Sequence, residues 1–456
     1  LLNLLVLPFM SAVVAGGILS LIPGLGIVGT VDCLILWWYE WICERFGELP
    51  GAVWCVGQPE IWQIACYYAG IFLLVFGRKY VEAWKRRGTY GEKNVPGVII
   101  HSNRFLHQIA TVMILGLLIG LLTGNFDRGS RVTFLDVGQG DGIVVETGQG
   151  AYLFDCGSTS RKNIGEYVLK PYLKSRGICS LRGVFVSHPD EDHMNGILEL
   201  LENGEEWGIT AEQLFLPAIR ESERRETFEQ LLAAAEDAGI PVSYIKCGDE
   251  IRDSQLRLLC LHPEENTTLA DANAYSECFY VEIFAKKMKQ EAIDDRKAND
   301  ASGGSAIGKI SILLTGDVEE EGERQLTQRL QAVQESRSLQ ESQSLQESRS
   351  LQESQSLQTT RRLQEQRGQR EFRVDILKVA HHGSGYSTGT EFLATASPAI
   401  AIISCGRNNS YGHPHAETLQ RLEDARVPWY GTMDYGALTV TVDSHGNRLH
   451  GYLRRK

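Results

Sequence analysis

The chain has 456 residues and a formal net charge of −12 at pH 7, which leaves room for roughly two to four domains. This acidity excludes a generally basic nucleic-acid coat protein, although a local basic groove stays open because binding follows charge distribution and not the total. Ten cysteines are scattered without a CxxC pair, so neither a zinc finger nor a dithiol redox motif is present.

The chain opens at Leu1 inside an apolar run and is expected to be a piece of a longer protein. Residues 1–124 read as membrane-spanning helices. The run 1–21 carries no charged residue and is long enough to cross a bilayer. A second stretch, 24–38, is broken by glycines and Asp32, and further runs occupy 61–76 and 105–122. Trp37, Trp38, Trp41, Trp54 and Trp62 cluster near run ends, as indole rings do at headgroup level. Arg78, Lys79, Lys85, Arg86, Arg87, Lys93 and Arg104, set against Glu82 and Glu92, mark the loop 78–104 as cytoplasmic. The run 105–122 then leads outward, and everything after Asn125 is expected on the extracytoplasmic side.

From Arg131 the texture changes to an α/β pattern. RVTFLDVG, GIVVET and AYLFDCG are short β-branched runs parted by glycines and predict consecutive hairpin strands. Ile164, Val168, Leu169 and Leu173 at helical spacing predict a helix over 163–175. A strand over 183–186 follows, then a helix beginning at 197 and another over 227–239. Strands are predicted at 241–245, 256–261, 278–284, 310–314, 374–380, 399–404 and 437–442, the last of the chain, with a helix at 418–425. Residues 286–308 form a polar excursion. Residues 335–358 are four copies of a six-residue unit, ESRSLQ alternating with ESQSLQ. Six is not a heptad, so no coiled-coil seam forms; the region about 335–370 reads as a low-complexity insertion that extends a charged surface helix.

Chemistry gathers at strand ends. The stretch 188–193, HPDEDH, carries His188, Asp190, Asp192 and His193, and two like charges two residues apart stay ionised most simply around a divalent cation. Imidazole and carboxylate together suit Zn, Mn or Fe. Asp155, Asp317, the His381–His382 pair and His413 also follow strands, and in a layered α/β protein such ends converge on one rim. Alternation along a strand would set His381 and His382 on opposite faces. Lys378 stands inside that strand, either as a surface lysine or facing the backbone of a bound strand.

HPDEDH resembles the HxHxDH signature of the metallo-β-lactamase superfamily, with Asp190 where the second histidine usually stands. The set DVGQGD (136–141), SHPDEDH (187–193), LLTGD (313–317), LKVAHHGS (377–384) and NNSYGHP (408–414) resembles the ComEC family of DNA-uptake channel proteins over about residues 130–445. The resemblance implies transmembrane helices over 1–124, the end of the family's channel domain. It also implies an α/β metallo-β-lactamase-like αββα sandwich over 125–456. His188 and Asp190 would bind one ion, Asp192 and His193 another, Asp317 would bridge them, and His381 or His382 would complete the shell. Asp141 and Asp155 would orient the ligand loops. The superfamily's third-motif histidine has no counterpart, and Asn273 and Ser276 occupy that polar slot better than His262. Two divalent ions, Mn or Zn, are implied, and the harder shell made by Asp190 favours Mn. Asp192 would assist proton transfer, His413 would protonate the leaving group, and Ser384, Asn409 and Tyr411 would contact substrate. The expected function is a membrane-anchored nuclease that degrades one strand of incoming DNA, with DNA, the lipid bilayer and other uptake components as partners. Hydrolysis of another ester, or a degenerate domain that only gates transport, are the alternatives.

Overall fold

The structure, a computed structural model, describes residues 2–47, 55–88, 104–124, 129–220, 224–265, 273–285, 308–350, 374–443 and 446–453. Most of the basic loop, the 286–307 excursion and the insertion beyond Ser350 lie outside them. The chain divides into two compact units, Leu1–Val56 and Gly57–Lys456.

The first unit is a helical pair, α1 (Leu2–Ser20) and α2 (Gly26–Gly47). Among the described residues, α2 is the one helix long and apolar enough to cross a membrane. Asp32 on α2 is buried against Gly16 of α1, where a Cβ would stand 2.3 Å from the carboxylate.

The second unit begins with α3 (Ile61–Gly88) and α4 (Arg104–Thr123), whose apolar stretches are Ile61–Phe76 and Thr111–Thr123. Gln63 joins them by donating to the carbonyls of Leu121 (2.6 Å) and Gly124 (2.8 Å) at the end of α4, which satisfies carbonyls that have no partner within their own helix.

Two sheets follow. The nine-stranded sheet is built from β1 (Ser130–Phe134), β2 (Gly142–Thr147), β3 (Gly150–Cys156), β4 (Ser180–Phe185), β5 (Thr210–Ala211), β6 (Leu214–Pro217) and β7 (Val242–Ile245). The seven-stranded sheet is built from β8 (Glu250–Arg252), β9 (Leu256–His262), β10 (Cys278–Phe284), β11 (Lys309–Leu314), β12 (Ile376–Lys378), β13 (Ile400–Ile403) and β14 (Trp429–Gly431). β15 (Leu438–Asp443) and β16 (Gly446–Gly451) complete the first sheet. Its order is β16-β15-β1-β2-β3-β4-β6-β7, with β5 on β4; the second runs β14 to β8 without interruption. The side of each sheet that carries helical crossovers is parallel, β3 to β7 in one and β11 to β14 in the other.

Alternation along the strands explains the layering, because successive side chains point to opposite faces. Val132, Phe134, Ile143, Val145 and Phe154 face Phe279, Val281, Ile312 and Ile376 between the sheets. Val144, Leu153 and Val184 point outward to α6 (Glu191–Trp207) and α7 (Glu226–Asp237). On the other sheet Tyr280, Leu313 and Leu377 point outward to α8 (Glu320–Ser350), α9 (Thr390–Ala396) and α10 (Ala416–Asp424). The result is an αββα sandwich. Phe185 anchors its centre, stacked on Phe154 at 4.6 Å and on Phe215 at 4.5 Å, with Phe279 edge-on at 5.4 Å; truncating such a ring to alanine costs about 3–5 kcal/mol.

Several expectations need correction. The helix predicted over 163–175 is a π-helical turn, Gly165–Leu169, continued by the short α5 (Lys170–Arg176). The strand over 374–380 stops at Lys378, and β16 follows the strand expected to be last. The expectation that the hexapeptide repeat extends a helix holds over its described part, because α8 continues into it as far as Ser350.

Candidate metal centre

The loop between β1 and β2 and the loops that end β3, β4, β11, β12 and β13 meet at one edge of the sandwich, where the first three are fixed to one another by their main chains. The Asp141 N–H donates to the Asp192 carbonyl (3.0 Å), and the Gly157 N–H donates to the Asp141 carbonyl (2.9 Å). A Cβ at Gly140 would stand 2.2 Å from the Gly157 carbonyl oxygen, and one at Gly157 would stand 2.4 Å from that of Glu191. Only glycine allows the three loops to approach this closely.

On this base Asp141, His193, Asp317 and His382 bring four donor atoms within 4.8 Å of one another, all buried. The His193 Nε2 lies 3.1 Å from Asp317 Oδ2, and the His382 Nε2 lies 3.3 Å from the same oxygen and 3.4 Å from Asp192. Neither Nε2 has a hydrogen-bond partner. The opposite nitrogens are held: His193 Nδ1 donates to Asp155 (2.9 Å), and His382 Nδ1 donates to the Ser404 carbonyl (2.8 Å). Orphaned buried imidazole nitrogens facing carboxylates, each fixed from behind, match the donor set of a divalent metal. Asp155, at φ 51°, also accepts from the N–H and hydroxyl of Ser187, both at 2.7 Å, and so holds the ligand loop.

The electrostatics show how strongly the carboxylates of this cluster favour positive charge among them. Burial disfavours a charged His382, yet the carboxylates of Asp317 and Asp141 raise it to about 10. His193 is pushed well above the usual histidine range against burial, by Asp317 and Asp155. Asp317 and Asp192 are held below the usual carboxylate range in spite of burial, Asp317 chiefly by His193 and His382 and Asp192 chiefly by His382. Protons on these histidines occupy the role a metal ion would take.

Lys378 is the feature sequence reasoning missed. It is buried, paired with Asp141, and its Nζ donates to the Gly316 carbonyl (2.9 Å) and lies 3.4 Å from Asp317. It is neither a surface lysine nor a group facing bound nucleic acid. Asp141, expected to orient the ligand loops, thereby enters the cluster itself. A lysine at the end of an apolar strand gives no periodic signal of its partner; the aspartates of DVGQGD and TGD were the available hint.

His188 and Asp190 form a more open half. His188 Nδ1 lies 3.2 Å from the Ser187 hydroxyl and 3.3 Å from that of Ser276, and burial lowers the ring to about 3. Its Nε2 faces Asp190 at 3.8 Å. Asp190 is raised by burial, opposed by Arg225, whose Nη1 lies 2.7 Å away. Ser276 also accepts from the Asp317 N–H (3.2 Å), which ties the two halves together. Asn273 lines the cleft, whereas His262 turns away, its Nε2 2.6 Å from the Ala274 carbonyl.

The His381–His382 pair is separated by a turn and not by strand alternation. Both have left-handed backbones, φ 46° and 53°. His382 joins the buried cluster, while His381 pairs with Glu319 at 2.7 Å and approaches Asp317 only to 3.8 Å. Above the cluster opens a cleft of about 430 Å³ whose walls include Thr159, Arg225, Tyr411 and His413. Tyr411 stacks on His413 at 5.7 Å. Burial and the neighbouring histidines lower His413 to about 4, so it is uncharged at neutral pH and is poorly suited as a proton donor. Asn409 spends its side chain on the carbonyls of Gly406 and His413 and the N–H groups of Tyr411 and His413, so it builds the loop. Ser384 is buried and accepts from the Tyr386 N–H, away from the cleft.

Comparison with known proteins supports the fold and the resemblance. Residues 135–240 match the metallo-β-lactamase superfamily, and the chain carries that fold. It is 28% identical over 324 residues to ComE operon protein 3 of Bacillus subtilis, covering 67% of this chain and 33% of that protein. It is 26% identical over 368 residues to Recombination protein 2 of Haemophilus influenzae, covering 78% and 35%. Competence protein ComA of Neisseria gonorrhoeae is 23% identical over 327 residues, covering 70% and 33%. The chain thus spans about a third of the length of these relatives. Among solved structures, the metallo-β-lactamase fold protein YhfI of Bacillus subtilis superposes with a TM-score of 0.34 at 10% identity, covering 66% of this chain and 95% of that one. The chain is similar to the ComEC-type competence proteins.

Proposed function

We propose that this chain is the hydrolase-bearing part of a DNA-uptake protein: a membrane-anchored, metal-dependent nuclease that degrades one strand of incoming DNA beside a translocation channel. One observation carries the reading. Four buried donors converge under an open cleft, and two of them are imidazole nitrogens with no hydrogen-bond partner. The competence relatives support the DNA substrate and the uptake context. Residues 1–124 act as the membrane part and 125–456 as the hydrolase. Apolar side chains such as Leu34, Trp37, Leu73 and Leu117 stand exposed on α2, α3 and α4, as suits lipid contact. The orientation follows the basic loop, with the hydrolase outside the cell membrane and several crossings in the whole protein.

In this reading Asp192, His193, Asp317 and His382 hold one divalent ion, and His188 and Asp190 with Asp317 serve a second. Bound there, such ions supply Lewis acidity for in-line displacement at a phosphodiester. Asp155 and Ser404 fix the tautomers of His193 and His382, so that each presents Nε2 to the centre. Lys378 places a fixed positive charge beside Asp141 and Asp317 on that side. Uncharged His413 offers a hydrogen bond on the cleft wall, and Tyr411 offers a ring face to an unpaired base.

The test uses the full chain in detergent, stripped of metal and reloaded with Mn or Zn. Labelled single- and double-stranded DNA and bis-p-nitrophenyl phosphate are offered beside the Asp192→Ala/His193→Ala variant. Metal-dependent cleavage lost in the variant is expected. All substrates left uncut by the loaded protein would sink the nuclease reading.

A further inference from the structure

We propose that Arg225 is a latch on the open half of the metal centre, competing with a second divalent ion for Asp190 until an anionic phosphodiester draws it away. The inference rests on the metal-hydrolase reading above and concerns how that centre fills.

The two halves are unequally equipped. Around His193 the donors are buried, and Lys378 is a permanent cation among them. Around His188 there is one free imidazole nitrogen and one carboxylate. The third donor, Asp317, is shared with the closed half, where it lies 3.1 Å from His193 Nε2, and the Ser276 hydroxyl stands behind the His188 ring, 3.3 Å from Nδ1. This half therefore depends on the charge of Asp190. That charge is taken: one oxygen pairs with Arg225 at 2.7 Å, while the other faces His188 Nε2 at 3.8 Å. A guanidinium on the same carboxylate both neutralises it and repels a dication across a few ångströms.

The pair is also placed to open. Arg225 precedes the first turn of α7 with a half-exposed side chain, and Arg225 and Asp190 both line the cleft where substrate enters. Guanidinium binds phosphate oxygens as readily as a carboxylate, through the same fork of donors. A phosphodiester in the cleft offers Arg225 a second anion and leaves Asp190 free for metal. Occupancy of the second position is then coupled to substrate, which would limit idle hydrolytic capacity.

The experiment counts metal and does not depend on turnover. The full chain in detergent is stripped and titrated with Mn, with bound metal measured by mass spectrometry and affinity by calorimetry. The wild type is expected to hold one tight ion. Arg225→Ala should gain a second with affinity raised roughly tenfold, and Arg225→Ala/Asp190→Ala should return to one. Phosphorothioate-linked dithymidine should raise second-ion affinity in the wild type and not in Arg225→Ala. Two tight ions in the resting wild type overturn the latch, as does an Arg225→Ala protein with unchanged stoichiometry or a dinucleotide without effect. No ion in any protein overturns the metal-hydrolase reading itself, and the latch falls with it. Thermal melting of each variant, together with Arg225→Gln as a bulk-preserving second substitution, separates lost folding from altered binding.

Discussion

The two halves of the candidate metal centre are built from the same short motif yet differ in what surrounds them. His193 is fully buried, held from behind by Asp155, and surrounded by carboxylates that push it well above the usual histidine range. His188, five residues earlier and also buried, rests on two serine hydroxyls and is held uncharged. Its partner Asp190 is part-exposed and bound by an arginine. A residue's role in such a centre is therefore set by what stands behind it as much as by what it is. The closed half is pre-charged and rigid; the open half is neutral and adjustable.

This contrast can be broken most forcefully at Lys378. Replacing it with methionine removes the buried cation paired with Asp141, and should destabilise the protein by about 3–5 kcal/mol in chemical denaturation. Adding Asp141→Asn should recover more than half of that loss; no recovery would mean that the pair is not the source. Next in size, Asp317→Asn removes the carboxylate shared by both histidines of the cluster. Hydrolysis should fall on the order of 10³-fold, with bound metal lost in parallel; full metal content with full activity would refute its place at the centre. Asp155→Asn leaves every proposed ligand in place but loosens His193, and metal affinity measured by calorimetry should drop about 10–100-fold.

The smallest effect is the pH response, which divides the halves most cleanly. His382, raised to about 10, and His193, raised well above its usual range, both carry protons at neutral pH when metal is absent. Metal must displace those protons, so affinity for the closed half should rise with pH up to about 10, by roughly tenfold per unit for each proton released. His188, lowered to about 3, has no proton to lose. Any ion bound there should show almost no proton release. Calorimetry in buffers of differing ionisation enthalpy counts the protons; equal release from both positions would erase the distinction.

Which parts were legible in the sequence follows from the same physics. Strands with both faces buried, such as β2 and β10, announce themselves as mostly apolar, β-branched and aromatic runs, and the metal-type residues near strand ends stand out because nothing else explains their density. His193, Asp317 and the histidine pair were found that way. Lys378 and Arg225 were not, because an isolated basic residue looks the same whether its partner is solvent or an aspartate far along the chain. Asn409 and Ser384 erred in the opposite direction: polar residues near a site look like substrate contacts until loop geometry shows their hydrogen bonds already used. The short strands β6 and β14 carry too few residues to show a period at all, and β16 is mostly polar.

The glycine contacts between the loops have a consequence for how this centre can change. Because Gly140 and Gly157 let three main chains lock together directly, position is encoded in the backbone and chemistry in the side chains mounted on it. The two can vary separately. Exchanging Asp190 for histidine, or Lys378 with Asp141 for a neutral pair, alters metal preference and ion number on a socket whose shape stays the same. Adding a single methyl group at Gly140 would move every ligand at once.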